Sequence, residues 1–215
     1  MTYAVKEIFY TLQGEGANVG RPAVFLRFSG CNLWSGLDRD RQAGSGGCSR
    51  WCDTNFVGTD GVGGGKFRSA QELFNAVASY WPRSTKQATP FVVCTGGEPL
   101  LQLDESLLAT FRAEGWSVSV ETNGTLEPPS RDLWLTVSPK ALSTLKITRG
   151  NELKLVFPQP EASPERFENL NFDHFFLQPM DGPNVVEHTT LALKYCLDHP
   201  QWRLSLQTHK ILKIP

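Results

Sequence analysis

Short apolar runs alternate with amphipathic helical segments along most of this 215-residue chain, and that alternation limits the fold more than any other feature. PAVFLRFSG (22–30) reads as a buried strand. SAQELFNAVASYWP (69–82) reads as a helix, with Ser69 and Glu72 as a capping box and Pro82 as the stop. PFVVCTGGEPLL (90–101) is a strand running into a glycine turn. Asp104 caps the helix ESLLATFRAEG, which ends at Gly115. WSVSVETNGT (116–125), LWLTVSPK, NELKLVF and FDHFFLQPM read as further strands. NVVEHTTLALKYCLD (184–198) is a helix, and WRLSLQTHK closes the chain with a strand. Alternating strands and helices imply βα units and a mostly parallel sheet. About six strands are too few for an eight-fold barrel, so the expectation is one α/β domain over 1–215, a partial, open parallel βα barrel.

Several strands end in polar or glycine-containing signatures: SGC, TGGEP, ETNGT, SPK, QPMD and QTHK. In parallel α/β folds the chemistry sits at the C-terminal ends of the strands, so these signatures point to one shared face. Residues 36–65 stand apart. They hold nine of the nineteen glycines, interspersed with charges, and read as an insertion loop. A net charge of −1 argues against bulk electrostatic capture of nucleic acid. No run approaches the ~20 apolar residues of a membrane helix. The N-terminal MTYAVKEIFYTLQGEG lacks the apolar run of a signal peptide. The expected location is the cytoplasm, where reduced thiols are available for metal or catalysis.

Three of the five cysteines, Cys31, Cys48 and Cys52, lie together in the pattern C-x16-C-x3-C. Cys94 sits in an apolar strand, and Cys196 shares a helical face with Val185, Thr189 and Ala192, so both read as core. A structural zinc site normally takes four protein ligands. Three thiols plus one of the sequence-distant histidines (174, 188, 199, 209) would make one. Three thiolates holding three irons of a [4Fe–4S] cluster, with the fourth iron open, fit the spacing equally well.

The triplet following the first strand, Trp51 directly before the third cysteine, and the later TGGEP together resemble the radical S-adenosylmethionine (SAM) superfamily. LQGEG (12–16), FLRFSGCNLW (25–34), WCDT (51–54), TGGEPL (95–100), ETNGT (121–125), SPK (138–140), LQPMD (177–181) and the C-terminal QTHK narrow the resemblance to the 7-carboxy-7-deazaguanine synthase family, in order along the chain. The usual superfamily triplet is C-x3-C-x2-C. This one departs from it by a long first gap and by a second gap one residue longer than usual.

The resemblance implies a lyase that contracts the ring of 6-carboxy-5,6,7,8-tetrahydropterin to 7-carboxy-7-deazaguanine with loss of ammonia. A reduced cluster would pass an electron to SAM, and the resulting radical would take a hydrogen from the pterin carbon bearing the carboxylate. SAM would be regenerated. Cys31, Cys48 and Cys52 would hold the cluster, and Thr54 would help hold Mg²⁺. Trp51 and Asp53 would flank the SAM adenine. Gly97 and Glu98 would meet the methionyl end, with the glycine allowing close approach and the carboxylate facing the ammonium. Ser138, Pro139, Lys140, Gln178, Pro179, Met180 and Asp181 would contact SAM, as would Glu121 and Asn123. Leu12, Gln13, Gly14, Glu15, Arg27, Thr95, His209 and the carboxylate of Pro215 would contact the pterin.

Period-two alternation puts Arg27 on the same strand face as Phe25, where it would bind the substrate carboxylate or pair with a glutamate. Apolar Ile211, Leu212 and Ile214 favour a docked tail. The resemblance further implies a homodimer and an external electron donor of the flavodoxin or ferredoxin type. A glycyl-radical-activating enzyme and a zinc-binding interaction module are the rival functions.

Overall fold

Polar and apolar side chains alternate in the central strands, and this alternation sorts them onto the two faces of one sheet. The computed structural model describes residues 2–82 and 88–215. The strands are β1 (Tyr3–Leu12), β2 (Pro22–Phe28), β3 (Gly65–Phe67), β4 (Phe91–Gly96), β5 (Ser117–Thr122), β6 (Trp134–Val137), β7 (Arg149–Phe157), β8 (Asn171–Pro179) and β9 (Trp202–Leu204). Their spatial order is β3-β1-β2-β4-β5-β6-β7-β8-β9. From β2 across to β9 every pairing is parallel. β1 runs antiparallel to both β2 and β3.

The helices are α1 (Ala70–Ser79), α2 (Glu105–Ala113), α3 (Val185–Asp198) and α4 (Thr208–Leu212). The expected caps are present. The Glu72 amide donates to Ser69 Oγ at 3.1 Å, and the Leu107 amide donates to Asp104 Oδ1 at 2.9 Å. Glu72 completes its side of the box on the amide of Arg68, one residue before the cap. Helix α2 gives way at Gly115, whose φ of +74° suits glycine.

One face of the sheet carries the main core. Leu26, Val92, Cys94, Val118, Val120, Leu135, Leu153, Leu155 and Leu177 are all buried there, with Leu73, Val77, Leu107 and Phe111 of α1 and α2. Burying each such side chain contributes about 1.5–3 kcal/mol. Burial pushes the Cys94 thiol up to about 12, as befits a packed hydrophobe. Cys196 is half-buried against the same core beside buried Ala192, whereas Val185 of the expected face is exposed. The opposite face turns Phe25, Arg27, Thr95, Glu121, Thr136 and Lys154 toward a cavity.

Three expectations are corrected. Among the described residues the sheet has nine strands, not about six: β1 and β3 join its edge beside the seven stretches read as strands. β1 shifts register between Val5 and Glu7, which breaks its alternation, and β3 has only three residues. Next, β5–β6, β6–β7 and β7–β8 are joined without an α-helix, so the βα alternation is incomplete. Finally, the last strand stops at Leu204, and the THK of WRLSLQTHK opens helix α4.

Candidate functional site

A cavity of about 350 Å³ lies at the C-terminal ends of the parallel strands. Its inner wall follows from strand register. Arg27 pairs with Thr95, Glu121 with Thr136, and Thr136 with Glu152, so one polar row crosses five adjacent strands. A polar side chain at every second position of an apolar strand is costly unless it faces partners or ligand.

The thiol side of the cavity is built by the long loop after β2. Cys31, Cys48, Trp51, Cys52, Asp53 and Thr54 all line it. A 3-10 turn spans Cys48–Arg50, and the Cys52 amide donates to the Cys48 carbonyl at 2.8 Å. The three-residue gap between these cysteines is therefore one closed helical turn, which puts positions i and i+4 side by side. Arg41 braces the loop. Its guanidinium donates to the carbonyls of Ser49 and Cys52 and lies 5.0 Å from the Trp34 ring.

Burial pushes the Cys48 thiol up to about 11, and burial also raises Cys31. Lys140 is half-buried beside them, its ammonium 5.3 Å from the Trp51 ring and donating to Ser138 Oγ at 2.7 Å. Burial pulls Lys140 below its ordinary range, while the ionising thiols hold it up. Among the described residues, no three His, Cys, Asp or Glu side chains converge on a point that one ion could occupy. Zinc, at about 2.3 Å per thiolate, needs such convergence. Three thiols spread around one cavity fit a cluster whose irons are bound one by one.

The strand-end turns form the adjoining wall. Gly96 has φ +143°, and a Cβ on Gly97 would lie 2.2 Å from the Gly30 carbonyl oxygen. The glycines are thus required by the neighbouring loop as well as by any ligand. Glu98 differs from expectation. It is fully buried, and its oxygens accept from the Leu100 amide, the Thr122 hydroxyl and the Asn123 amide at 2.8–2.9 Å. Desolvation raises this carboxyl, against those three donors. It orders the turn and is absent from the cavity lining. Asn123 and Ser138 do line it.

The floor lies under LQGEG. Leu12, Gln13, Gly14 and Glu15 face the cavity. Lys154 on β7 pairs with Glu15 and with Glu121, the latter at 3.5 Å. Gln13 Nε2 donates to Glu121 Oε1 at 3.0 Å. Gln178 and Gln207 donate to Glu15 Oε1. Burial would raise Glu15, but the Lys154 charge and hydrogen bond bring it below the ordinary carboxylate range. Burial would lower Lys154, but the charges of Glu121 and then Glu15 raise it. Gly14 packs against His209, since a Cβ there would lie 2.2 Å from Nδ1.

Arg27 reaches the cavity wall, as period two requires, with Nε on Glu7 Oε1 at 2.7 Å. The glutamate pairing is thus present, and the terminal guanidinium nitrogens make no hydrogen bond among the described residues. One terminal oxygen of Pro215 accepts from Thr11 Oγ1 at 3.0 Å, and Pro215 lines the cavity. Ile211 and Leu212 are exposed, so the tail docks through this bond and Ile214 N to His209 O, not by burying those side chains. Pro139, Pro179, Met180 and Asp181 lie outside the cavity lining. Asp181 reaches the rim through Lys210, which also pairs with Asp53, each at 2.6 Å.

Lys154 and Thr136 line the cavity but belong to no motif in the sequence, and Gln207 and Lys210 line it from the QTHK stretch without having been singled out as contacts. For the first two the available signal was a polar residue at an inward position of LTV and ELKLV.

Comparison with known proteins gives a consistent picture. A 7-carboxy-7-deazaguanine synthase of Bordetella pertussis is 60% identical over 215 residues, covering the whole of both chains. Proteins of the same description from Bradyrhizobium diazoefficiens and Nitratidesulfovibrio vulgaris are 56% and 52% identical, again over the full length of both. The crystal structure of QueE from Escherichia coli superposes with a TM-score of 0.69 at 29% identity, covering 96% of this chain and 94% of that one. No family model matches.

Proposed function

The chain belongs to the 7-carboxy-7-deazaguanine synthase family, and from that premise we propose how its residues divide the conversion of 6-carboxy-5,6,7,8-tetrahydropterin to 7-carboxy-7-deazaguanine and ammonia. Product and ammonia together carry all the atoms of the pterin, so the net reaction is redox-neutral and a regenerated cofactor suffices. A [4Fe–4S] cluster and SAM, when bound, supply the one-electron chemistry.

Cys31, Cys48 and Cys52 would hold the cluster and leave one iron open. Lys140 partly offsets the charge that three thiolates bring into a buried site. Trp51, Asp53, Gly97, Asn123, Ser138 and Lys140 would form the SAM wall, with Pro139, Pro179, Met180 and Asp181 shaping it from behind. Glu98 would act indirectly, by fixing the turn that carries Gly97 and Asn123. Leu12, Gln13, Gly14, Glu15, Thr95, His209 and Pro215 would enclose the pterin, and the free end of the Arg27 guanidinium would take its carboxylate. Thr54, half-buried and without a hydrogen bond among the described residues, would join the shell of a Mg²⁺ ion.

One observation carries this division: three thiols and a buried Glu15–Lys154–Glu121 floor share one cavity. Its test is anaerobic purification followed by assay with reductant, SAM and the pterin. About four irons per chain and formation of 7-carboxy-7-deazaguanine are expected. A colourless protein with one zinc and no product would overturn it.

The assembly would be a homodimer. Helix α3 exposes Val186 (78%), Leu197 (74%) and Leu193 (46%), apolar area that a second copy would cover. A flavodoxin- or ferredoxin-type donor would supply the electron. The nine-stranded sheet would curl as a partial barrel around the cavity. A cytoplasmic setting suits five free thiols, and no helix among the described residues is long and apolar enough to cross a membrane.

A further inference from the structure

Lys154 belongs to no motif, yet it is the most connected charge on the cavity floor. Its side chain is 5% exposed and lies between Glu15, from the loop after β1, and Glu121, from β5. Glu15 is fully occupied. Lys154 holds one of its oxygens, Gln178 and Gln207 hold the other, and its own amide donates to Gln13 Oε1 at 3.1 Å. Glu121 is only half-occupied: Gln13 and Lys154 both bond Oε1, and Oε2 has no partner among the described residues. Gln178 Oε1 is also without a partner and, unlike the partly exposed Glu121 side chain, is buried, while its Nε2 is committed to Glu15. The opposite amide orientation would set Oε1 against the Glu15 carboxylate, so the bond to Glu15 fixes which atom is left free.

Two acceptor atoms therefore remain open on the floor, one of them buried. A buried acceptor without a partner costs free energy, and a ligand donor removes that cost. The 2-amino group and neighbouring ring N–H of a pterin form a two-donor edge of this kind.

We propose that Lys154 is a positioning residue for the pterin, holding the Glu15 and Glu121 carboxylates so that Glu121 Oε2 and Gln178 Oε1 meet the N–H edge of the ring. This moves Glu121 and Gln178, which the sequence resemblance set against SAM, to the pterin floor and makes Glu15 part of the frame. The inference rests on the pterin reading above. The charged groups around Lys154 are Glu15, Glu121, Glu152 of its own strand and Lys140 after β6, with His209 of α4 acting on Glu15.

The test compares the reconstituted wild type with Lys154→Met, Lys154→Arg and Glu121→Gln. Pterin affinity is read by equilibrium dialysis with 6-carboxytetrahydropterin and SAM present, alongside KM, kcat, iron content and thermal midpoint. Lys154→Met should weaken pterin binding and raise KM about a hundredfold, the order expected when a charge partner of buried carboxylates is removed. Its kcat should stay within about threefold, as for a loss of uniform binding. Lys154→Arg should recover most of the affinity. In Lys154→Met the KM should also fall as pH rises from about 6 to 9, because the unpaired buried carboxylates then ionise late. A purely structural lysine would not produce that slope.

Glu121→Gln keeps the side-chain shape and decides the matter should Lys154→Met fail to fold; it too should raise KM at full iron content. An unchanged KM in Lys154→Met or Glu121→Gln, or a fall in kcat alone, overturns the proposal. A wild type that neither binds the pterin nor turns it over overturns the functional reading itself, which is a different failure.

Discussion

The two ends of the cavity are built in opposite ways. The thiol end is one continuous piece of chain, residues 31–54, held by local turns and by Arg41. The floor is assembled from β5, β6, β7, β8, α4 and the loop after β1, each supplying one or two polar side chains. Local construction tolerates variation in spacing: the C-x3-C gap simply closes a helical turn. Distributed construction tolerates little, because each buried polar group depends on partners from distant segments. Two of the site's glutamates divide this way as well. Glu98 is held by neutral donors and its carboxyl is raised, whereas Glu15 faces an ammonium and is lowered.

Substitutions should expose the contrast. The largest effect belongs to the thiol end: Cys48→Ser should abolish bound iron and product together while the apoprotein keeps its thermal midpoint within a few degrees. Iron assay, product chromatography and calorimetry check all three parts. If the midpoint fell as far as activity did, the loop would not be a locally built unit.

The floor should respond in stability. Glu152 accepts from Thr136 Oγ1 at 2.6 Å and from the Ala17 amide at 2.8 Å, and Glu152→Ala leaves both donors unpaired. A loss of about 2–4 kcal/mol is expected in urea unfolding of the apoprotein. Deleting Pro215 comes next. It removes the terminal carboxylate that Thr11 holds, and should raise the pterin KM by about tenfold with iron content intact.

A smaller effect appears with pH. Glu15 has a lowered carboxyl, so its pairing stabilises the fold fully above the unfolded value of about 4.3 and is lost as pH falls through the lower folded value. The wild-type apoprotein should therefore lose stability below about pH 4.5 more steeply than Glu15→Gln does. Parallel acid curves would show that Lys154 gives Glu15 no special stability. The smallest effect is expected at the rim. Lys210 is 38% exposed, so Lys210→Met should cost under about 1 kcal/mol despite two short ion pairs. A larger loss would make α4 part of the distributed floor.

Much of the site was legible because its chemistry is written in short stretches. The cysteines, the TGGEP turn, SPK and LQGEG each declare themselves within a few residues. Period two also placed Arg27 correctly on the cavity face. Other features were not legible for identifiable reasons. β1 hides its alternation behind a bulge, and β3 is too short to show any. Glu98 looks like a ligand carboxylate in sequence, and its part in the turn shows only in the fold, where the Thr122 hydroxyl and the Asn123 amide at the end of β5 donate to its oxygens.

By itself the sequence determined the parallel α/β class, the three-thiol site and the family, since these rest on local periodicity, residue chemistry and ordered motifs. Only the tertiary structure decided which glutamate is spent and which is free, and that Lys154 joins them. Hydrogen-bond saturation depends on side chains from segments 33 and 139 residues apart meeting on one floor, and no single stretch of chain records that meeting.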